Sequence, residues 1–227
     1  MKRTFQLSAS LICGNPLSLM EDIKELEKGG IDAIHFDVMD GMFVPRLGLY
    51  PEILEAVKKH SKLPVYVHLM IDKPERYVQV FVEYGADIVV PHVESTPHLD
   101  HTIRLIKESG GRAGIALNPS TPISSIEYLL PEIELILIMA INPGIVGHKL
   151  IPNMMGKIAN VRKAISKYPD IKIEIDGGVT PDSAAKMVSL GADILVCGTS
   201  SIYKKETPLS KKIPEFRKHV QNELKTL

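Results

Sequence analysis

The pattern of hydrophobic and polar positions alternates along the whole chain between short apolar runs and longer amphipathic stretches. Runs typical of buried strands begin near Phe5, Ala33, Val65, Ile88, Ala113, Leu135, Ile171 and Ile194. Between them, apolar residues at helical spacing indicate helices over Leu17–Lys28, Pro51–His60, Pro74–Tyr84, Leu99–Glu108, Ile151–Lys167 and Pro181–Leu190. Several of these helices open on proline, which the first turn tolerates. The pattern therefore predicts strands and helices in regular alternation.

A short phrase recurs where a predicted helix meets the next predicted strand. It occupies Gly30–Ile34, Gly85–Val89 and Gly191–Leu195. The glycine suits the left-handed position that ends a helix, and the apolar residues begin a buried strand. The aspartates within the three phrases lie 55 and 106 residues apart. If one strand–helix unit takes about 27 residues, these gaps hold two and four units, and the chain holds about eight.

Eight such units with short connections predict one α/β domain over residues 1–227, a single (β/α)₈ TIM barrel. The continuous apolar runs Leu135–Met139 and Ile194–Val196 suit a parallel sheet that is covered on both faces. A doubly wound open sheet is the alternative, but no Gly-x-Gly-x-x-Gly sequence follows the first strand. In such a barrel we expect the chemistry at the carboxyl ends of the strands.

Composition then excludes several classes of protein. The 27 Lys+Arg residues balance 27 Asp+Glu residues, so no net positive charge indicates nucleic acid or an anionic membrane as a partner. A hydrophobic share of 44% argues against a disordered chain, and no apolar stretch is long enough to span a membrane. We find no signal peptide, and Cys13 and Cys197 are too few for a disulfide framework. We therefore expect a cytoplasmic protein with no nucleic-acid or membrane partner.

Histidine and aspartate residues stand at the ends of three predicted strands. His35 and Asp37, two residues apart on the second strand, project to one face, while His68 ends the third strand and Asp176 the seventh. Taken singly, these residues are also explained by a buried hydrogen bond, a rim histidine and a turn. Together they form a nitrogen and oxygen ligand set suited to Zn²⁺, Fe²⁺, Mn²⁺ or Co²⁺. We expect a divalent metal site at the barrel mouth.

Glycines follow the last three predicted strands. They lie in Gly144–Gly147, in Gly177-Gly178 and in Gly198-Thr199-Ser200. Glycine lets backbone N–H groups approach a ligand, and barrels of this type often bind phosphate with the loops after strands seven and eight. We also expect Gly198-Thr199-Ser200 to open a short helix whose N-terminus attracts phosphate. Tight turns with no ligand are the alternative explanation.

These residues carry a family resemblance. From Ser10 to about Tyr203 the chain resembles the ribulose-phosphate 3-epimerase family, which includes allulose-6-phosphate 3-epimerases. The most specific stretch is His35–Pro45, and further matches lie at 68–70, 118–121, 139–147 and 176–179. The resemblance implies a (β/α)₈ barrel, one divalent metal ion per subunit and inversion at C3 of a ketose phosphate. It also implies a homo-oligomer, a dimer or a hexamer.

The resemblance assigns roles to individual residues. It implies metal ligands at His35, Asp37, His68 and Asp176, of which Asp37 and Asp176 are also the catalytic acid/base pair. The implied substrate-binding residues are Ser10, His68, Met39, Met70, Met139, Gly144, Ile145, Val146, Gly147, Gly177, Gly178, Gly198 and Thr199. Two carboxylates agree with the chemistry, because epimerisation removes a proton from one face of a planar intermediate and returns one to the other. A metal ion would stabilise the cis-enediolate between these two steps.

The chain departs from the family in places. The loop after the sixth strand has Ile145-Val146-Gly147-His148 where Phe-Gly-Gly-Gln is usual, and Cys13-Gly14-Asn15 stands where Ser-Ala-Asp is common. None of these changes touches the four metal positions, so they bear on the substrate rather than on the reaction. His92 and Glu94 also match a family pattern, but the sequence assigns them no role.

The interpretation that follows is a metal-dependent 3-epimerase that interconverts D-ribulose 5-phosphate and D-xylulose 5-phosphate. An epimerase of allulose 6-phosphate or of another ketose phosphate is the nearest alternative. A barrel that binds a sugar phosphate without turning it over is more remote, because the set of ligands and bases is complete. A decarboxylase is equally remote, because none of the strand ends that carry the candidate residues contains a lysine.

Overall fold

A computed structural model describes residues 4–145, 149–203 and 207–227, and eight strands lie within them. The strands are β1 (Gln6–Ser10), β2 (Ala33–Met39), β3 (Val65–Met70), β4 (Ile88–Pro91), β5 (Gly114–Leu117), β6 (Leu135–Met139), β7 (Lys172–Asp176) and β8 (Ile194–Cys197). They form one parallel sheet in the order β4-β3-β2-β1-β8-β7-β6-β5. Parallel bridges from Val89 to Ala113 and from His92 to Ala116 join β4 to β5. The sheet is therefore a closed barrel, which confirms the predicted fold.

Helices follow most strands and cover the outside of the barrel. They are α1 (Leu19–Gly29), α2 (Pro51–His60), α3 (Val78–Glu83), α4 (Leu99–Glu108), α5 (Met154–Ala164), α6 (Pro181–Leu190) and α7 (Leu209–Glu223). The bounds of α2, α4 and α6 are those that the sequence predicts. Across the described ranges, none of these helices has the length and apolar character needed to cross a membrane.

One predicted helix differs in the structure, and the helix of the fifth unit was not predicted. The helix expected over Pro74–Tyr84 is divided into a 3₁₀ turn, Pro74–Arg76, and the short α3. Lys73, just before this turn, has a positive φ of 52°, which sets the chain direction there. In the fifth unit a 3₁₀ helix, Ile123–Glu132, takes the place of an α-helix. Pro131 lies inside it and offers no N–H, so a regular α-helix would lose a hydrogen bond at this point.

Apolar side chains fill the interior of the barrel below its mouth. This inner cluster consists of Ala33, Tyr66, Ile88, Val90, Ala116, Leu135, Leu137, Met139 and Ile194. A second and larger cluster lies between the outer face of the strands and the helices. Above the inner cluster, His35, His68 and Glu174 are buried completely. The barrel is thus a packed core with a polar layer on top, and not a pore.

The recurring Gly-x-Asp phrases lie at the amino-terminal end of the barrel, opposite its mouth, where each aspartate connects two strands. Gly30, Gly85 and Gly191 adopt positive φ, as predicted. Each aspartate accepts a hydrogen bond from a backbone N–H of the preceding strand: Asp32 from Leu7, Asp87 from Val65 and Asp193 from Ile173. Each also forms an ion pair with a basic side chain: Asp32 with Arg217, Asp87 with Lys58 and Asp193 with Arg162. We call each such set a strand clip. Glu134, before β6, is similar, because its N–H donates to Ala113 and its carboxylate pairs with Arg112.

We predict that Asp87→Asn lowers the free energy of unfolding by about 1–3 kcal/mol, because a charge-assisted hydrogen bond and the Lys58 ion pair both weaken. The check is urea unfolding followed by circular dichroism. Glu55→Gln is the matched control, since it breaks the exposed Lys59–Glu55 pair of α2, and we expect a change below about 1 kcal/mol. Equal losses in the two variants would show that the clip contributes no more than a surface ion pair.

Candidate active site

The pairing of strands brings the predicted metal ligands together at the barrel mouth. In the sheet register Asp37 lies beside His68 on β3, and Ser10 of β1 lies beside His35. Asp176 ends β7 and pairs with Met139 on β6. One ligand atom each from His35, Asp37, His68 and Asp176 lies within 4.8 Å of the other three. We call these four residues the His/Asp cluster.

Asp37 is at the centre of the His/Asp cluster. Its Oδ1 lies 3.1 Å from His35 Nε2 and 3.2 Å from His68 Nδ1, and the two nitrogens are 3.3 Å apart. Asp176 Oδ2 lies further away, at 3.9 Å from His35 Nε2 and 4.0 Å from His68 Nδ1. The Ser10 hydroxyl donates to the other carboxylate oxygen of Asp37 at 2.7 Å. Both oxygens of Asp37 are therefore held in place.

His35 is oriented from behind by Glu174. His35 Nδ1 lies 3.3 Å from Glu174 Oε1, and both side chains are buried. The contact with the Glu174 carboxylate makes His35 Nδ1 a donor, and the Nε2 of the ring faces the cluster. The second oxygen of Glu174 is buried without a hydrogen-bond partner among the described residues. Glu174 was not predicted as a site residue, because nothing in the sequence links it to a histidine 139 residues away.

His68 is oriented by a longer chain of contacts. Its Nε2 lies 2.8 Å from His92 Nε2, and His92 Nδ1 lies 2.9 Å from Glu94 Oε2. His68 and His92 are fully buried, whereas 24% of the Glu94 side chain is exposed. His92 and Glu94, to which the sequence assigns no role, therefore lie behind His68, a predicted metal ligand.

The geometry of the cluster fits a divalent cation. Two imidazole nitrogens and two carboxylates face one point, and each imidazole is held at its other nitrogen by a carboxylate or by a second imidazole. Such outer hydrogen bonds are usual for histidines that bind metals. Burial would lower the pKa of His35, but the negative charges of Asp37 and Glu174 beside it raise that pKa well above the usual range, so positive charge is favoured at this point. The donor set is of the type that Zn²⁺, Fe²⁺, Mn²⁺ and Co²⁺ share.

The surroundings of the two carboxyl groups in the cluster shift their pKa values in opposite directions. Burial raises the pKa of Asp176 to about 7, and the negative charges of Asp37 and Glu174 act in the same direction. Burial would also raise the pKa of Asp37, but the charge of His35 and its hydrogen bond hold that pKa far below the usual range. Near neutral pH one carboxyl group is therefore ionised while the other can carry a proton. This difference is what an acid/base pair requires.

A cavity of about 640 Å³ opens above the cluster. Its lining includes these predicted residues: Ser10, Asp37, Met39, Met70, Met139, Gly144, Ile145, Asp176, Gly177, Gly178, Gly198 and Thr199. His35 and His68 are not part of the lining, because they lie behind Asp37 in the barrel interior. The three methionines are almost completely buried and form an apolar wall beside the two carboxylates.

The glycine loops approach the cavity as expected, with one correction. Gly144, Gly177 and Gly178 adopt positive φ. At the end of β8, however, residues 199–202 form a turn in which the Ser201 and Ile202 N–H groups bond to the Gly198 carbonyl, not the predicted short helix. A phosphate at this place would therefore meet the backbone amides of a turn, and not the N-terminus of a helix. Val146, Gly147 and His148 lie outside the described residues.

Two cationic side chains in the lining were not predicted. Arg46, after β2, and Lys149, before α5, both border the cavity. Neither ends a strand, so a search of strand ends alone overlooks them. Cys13 also lines the cavity, where its thiol lies 3.6 Å from the Ser10 hydroxyl, and burial raises the pKa of that thiol.

Known proteins resemble the chain at two levels. The ribulose-phosphate 3 epimerase family matches residues 6–203. Ribulose-phosphate 3-epimerase of Bacillus subtilis is 42% identical over 214 residues, which is 93% of this chain and 98% of the relative. The chloroplastic ribulose-5-phosphate-3-epimerase of Arabidopsis thaliana is 45% identical over 86% of this chain and 70% of its own length.

Solved structures with little sequence identity share the fold. The 3-keto-L-gulonate-6-phosphate decarboxylase of Vibrio cholerae superposes with a TM-score of 0.71 at 11% identity and covers 97% of this chain and 98% of its own. The 3-hexulose-6-phosphate synthase of Salmonella typhimurium gives 0.70 at 16% identity, with 98% and 99% covered. At such identities the likeness supports the barrel alone.

We predict that Gly177→Ala destabilises the protein and lowers turnover, because Gly177 has a φ of +95° and an added Cβ would lie 2.3 Å from Ile141 Cγ1. Gly110→Ala is the control, since Gly110 has a similar φ of +85° but open space around it. Overpacking should cost Gly177→Ala at least about 1 kcal/mol more than the control. The measurements are urea unfolding and kcat/KM. Matching losses in both variants would contradict the close packing of the loop after β7.

Proposed function

Because the chain belongs to the ribulose-phosphate 3-epimerase family, we propose that it is an isomerase that interconverts D-ribulose 5-phosphate and D-xylulose 5-phosphate at C3. The observation that carries this proposal is the pair of carboxyl groups at the floor of one cavity. Asp37 belongs to β2 and Asp176 to β7, and their pKa values are displaced in opposite directions. An epimerase needs one group to accept a proton and another to supply one.

His35, Asp37, His68 and Asp176 would hold one divalent cation per subunit, either Zn²⁺, Fe²⁺, Mn²⁺ or Co²⁺. When bound, the cation would supply Lewis-acid stabilisation to negative charge that develops on the substrate. The protein holds this ligand set with Ser10, Glu174 and His92. These contacts fix the positions of the ligands before any substrate arrives.

The two aspartates transfer the protons. In one direction the ionised carboxylate of Asp37 accepts the C3 proton, and the protonated Asp176 delivers a proton to the opposite face of the cis-enediolate. In the other direction the roles are exchanged. The side chain of Asp176 is partly exposed and borders the cavity, so it can reach the substrate from the side of β7.

The walls of the cavity position the sugar phosphate. Met39, Met70 and Met139 exclude water from the reacting carbons, which strengthens the electrostatic interactions there. Gly177, Gly178, Gly198 and Thr199 place backbone amides on the side where we expect the phosphate. The cationic side chains Arg46 and Lys149 also border the cavity and favour an anionic ligand. The homo-oligomeric state and the cytoplasmic location stay predictions of the sequence.

We predict that Asp176→Asn lowers the rate of interconversion by at least about 10²-fold, because one of the two proton-transferring groups is lost. Exchange of the C3 proton with deuterated solvent should then persist in only one of the two epimers, the one that Asp37 deprotonates. Proton NMR of each epimer in D₂O measures both rates. Asp170→Asn, an exposed aspartate ahead of β7, is the control and should behave as wild type. Interconversion within tenfold of the wild-type rate would rule out the two-base assignment.

We predict that kcat/KM is higher for ribulose 5-phosphate than for allulose 6-phosphate and that unphosphorylated ribulose is a poor substrate. The reason is that the family relatives act on the pentose phosphate and that the glycine loops bind the phosphate. Steady-state kinetics on this panel give the answer. A preference for allulose 6-phosphate would leave the epimerase chemistry intact but change the substrate.

A further inference from the structure

His92 and Glu94 form a continuous hydrogen-bonded path from the surface to the His/Asp cluster. Glu94 is the outer end, where its Oε1 accepts from the Asn118 N–H at 2.8 Å and from the Thr121 hydroxyl. Lys157 of α5 lies nearby and donates to the carbonyls of Asn118 and Pro119 at 2.5 and 3.3 Å. The segment after β5 thus fixes this carboxylate directly, and α5 supports that segment through Lys157.

Glu94 stays ionised in this setting. Burial would raise its pKa, but hydrogen bonds from His92, Thr121 and the Asn118 N–H lower it to about 2. A carboxylate in this state can only accept hydrogen bonds. The atom that faces Glu94 Oε2, His92 Nδ1, therefore carries a proton and donates it.

The proton on His92 determines the tautomer of His68. A neutral imidazole carries one proton, so the buried ring of His92, which donates from Nδ1 to Glu94, offers its Nε2 as an acceptor. His68 Nε2 lies 2.8 Å away and must donate to it. Neutral His68 then has no proton on Nδ1, and that nitrogen presents its lone pair to Asp37 and His35.

We infer that Glu94, acting through His92, is a positioning residue that fixes His68 in the tautomer whose Nδ1 can bind the metal. The inference rests on the proposed metal site. The arrangement differs from that of His35, which Glu174 orients by direct contact. A second imidazole relays the effect to His68, because Glu94 stands in the segment after β4 and its hydrogen bond goes to His92.

The test uses the full chain and Co²⁺, whose binding is followed by its visible absorption. Glu94→Gln can present an amide N–H to His92, which reverses the direction of both hydrogen bonds and puts a proton on His68 Nδ1. We expect this variant to bind Co²⁺ about 10–100-fold more weakly than wild type. Thr121→Val is the matched variant, since it removes another hydrogen bond to Glu94 but leaves the carboxylate and the His92 contact in place. It should bind within about threefold of wild type, well below the loss that follows disruption of an outer-shell partner.

Asp87→Asn controls for loss of stability, because it removes a carboxylate from β3 and β4 at the other end of the barrel. It should leave Co²⁺ affinity unchanged. If Glu94→Gln binds Co²⁺ as tightly as wild type, or if Asp87→Asn weakens binding as much, Glu94 has no positioning role.

A second measurement separates this inference from the proposed function. Long-range ¹H–¹⁵N NMR of the metal-free wild-type protein reports which nitrogen of each imidazole carries the proton, with signals assigned through His68→Asn and His92→Asn. Protons on His68 Nε2 and His92 Nδ1 support the inference even if the protein binds no Co²⁺, which would overturn the metal site alone. A proton on His68 Nδ1 overturns the inference whatever the metal affinity.

Discussion

The constraint on which the site depends is electrostatic: two carboxylates and two imidazoles face one point inside a closed sheet. Water cannot reach most of these atoms, so every lone pair and charge needs a partner within the protein or in a bound cation. On the side away from the centre of the cluster, Ser10, Glu174 and His92 form hydrogen bonds with the ligands Asp37, His35 and His68, respectively. On the inner side, Asp37, His35 and His68 come within 3.1 to 3.3 Å of one another, and either a bound cation or a proton on His35 can supply the positive charge that Asp37 needs. Burial therefore makes this point a place where positive charge is favoured.

The same burial separates the chemical roles of the two aspartates. Asp37 receives hydrogen bonds from Ser10 and His35, so its negative charge is stabilised. Asp176 lies at the edge of the cluster with fewer contacts and beside other negative charges, so its proton is retained to a higher pH. Residues of the same type acquire different proton affinities from their neighbours alone. The barrel positions them on β2 and β7, on different parts of the wall around the substrate.

Much of the fold and of the candidate site follows from the sequence because both depend on local patterns. Strands with period-two alternation place His35 and Asp37 on one face, and parallel strands bring their ends to one edge of the sheet. The missing parts depend on contacts between distant residues. Glu174 and His92 contact the histidines through the register of strands, which residue spacing does not reveal. The turn after Gly198 and the 3₁₀ helix that contains Pro131 are further cases, since local backbone geometry decides between a turn, a 3₁₀ helix and an α-helix.

The strand clips have a consequence for how the barrel is organised. They connect β1 to β2, β3 to β4 and β7 to β8, and Glu134 occupies the corresponding place between β5 and β6. The repeating unit at this end is therefore a pair of strands, and the barrel is composed of four quarters. Each clip adds a side-chain hydrogen bond between the two strands of a quarter at the amino-terminal end, away from the loops at the mouth. Substitutions in the loops at the mouth can then change the substrate specificity, while the clips at the other end continue to hold the strands together.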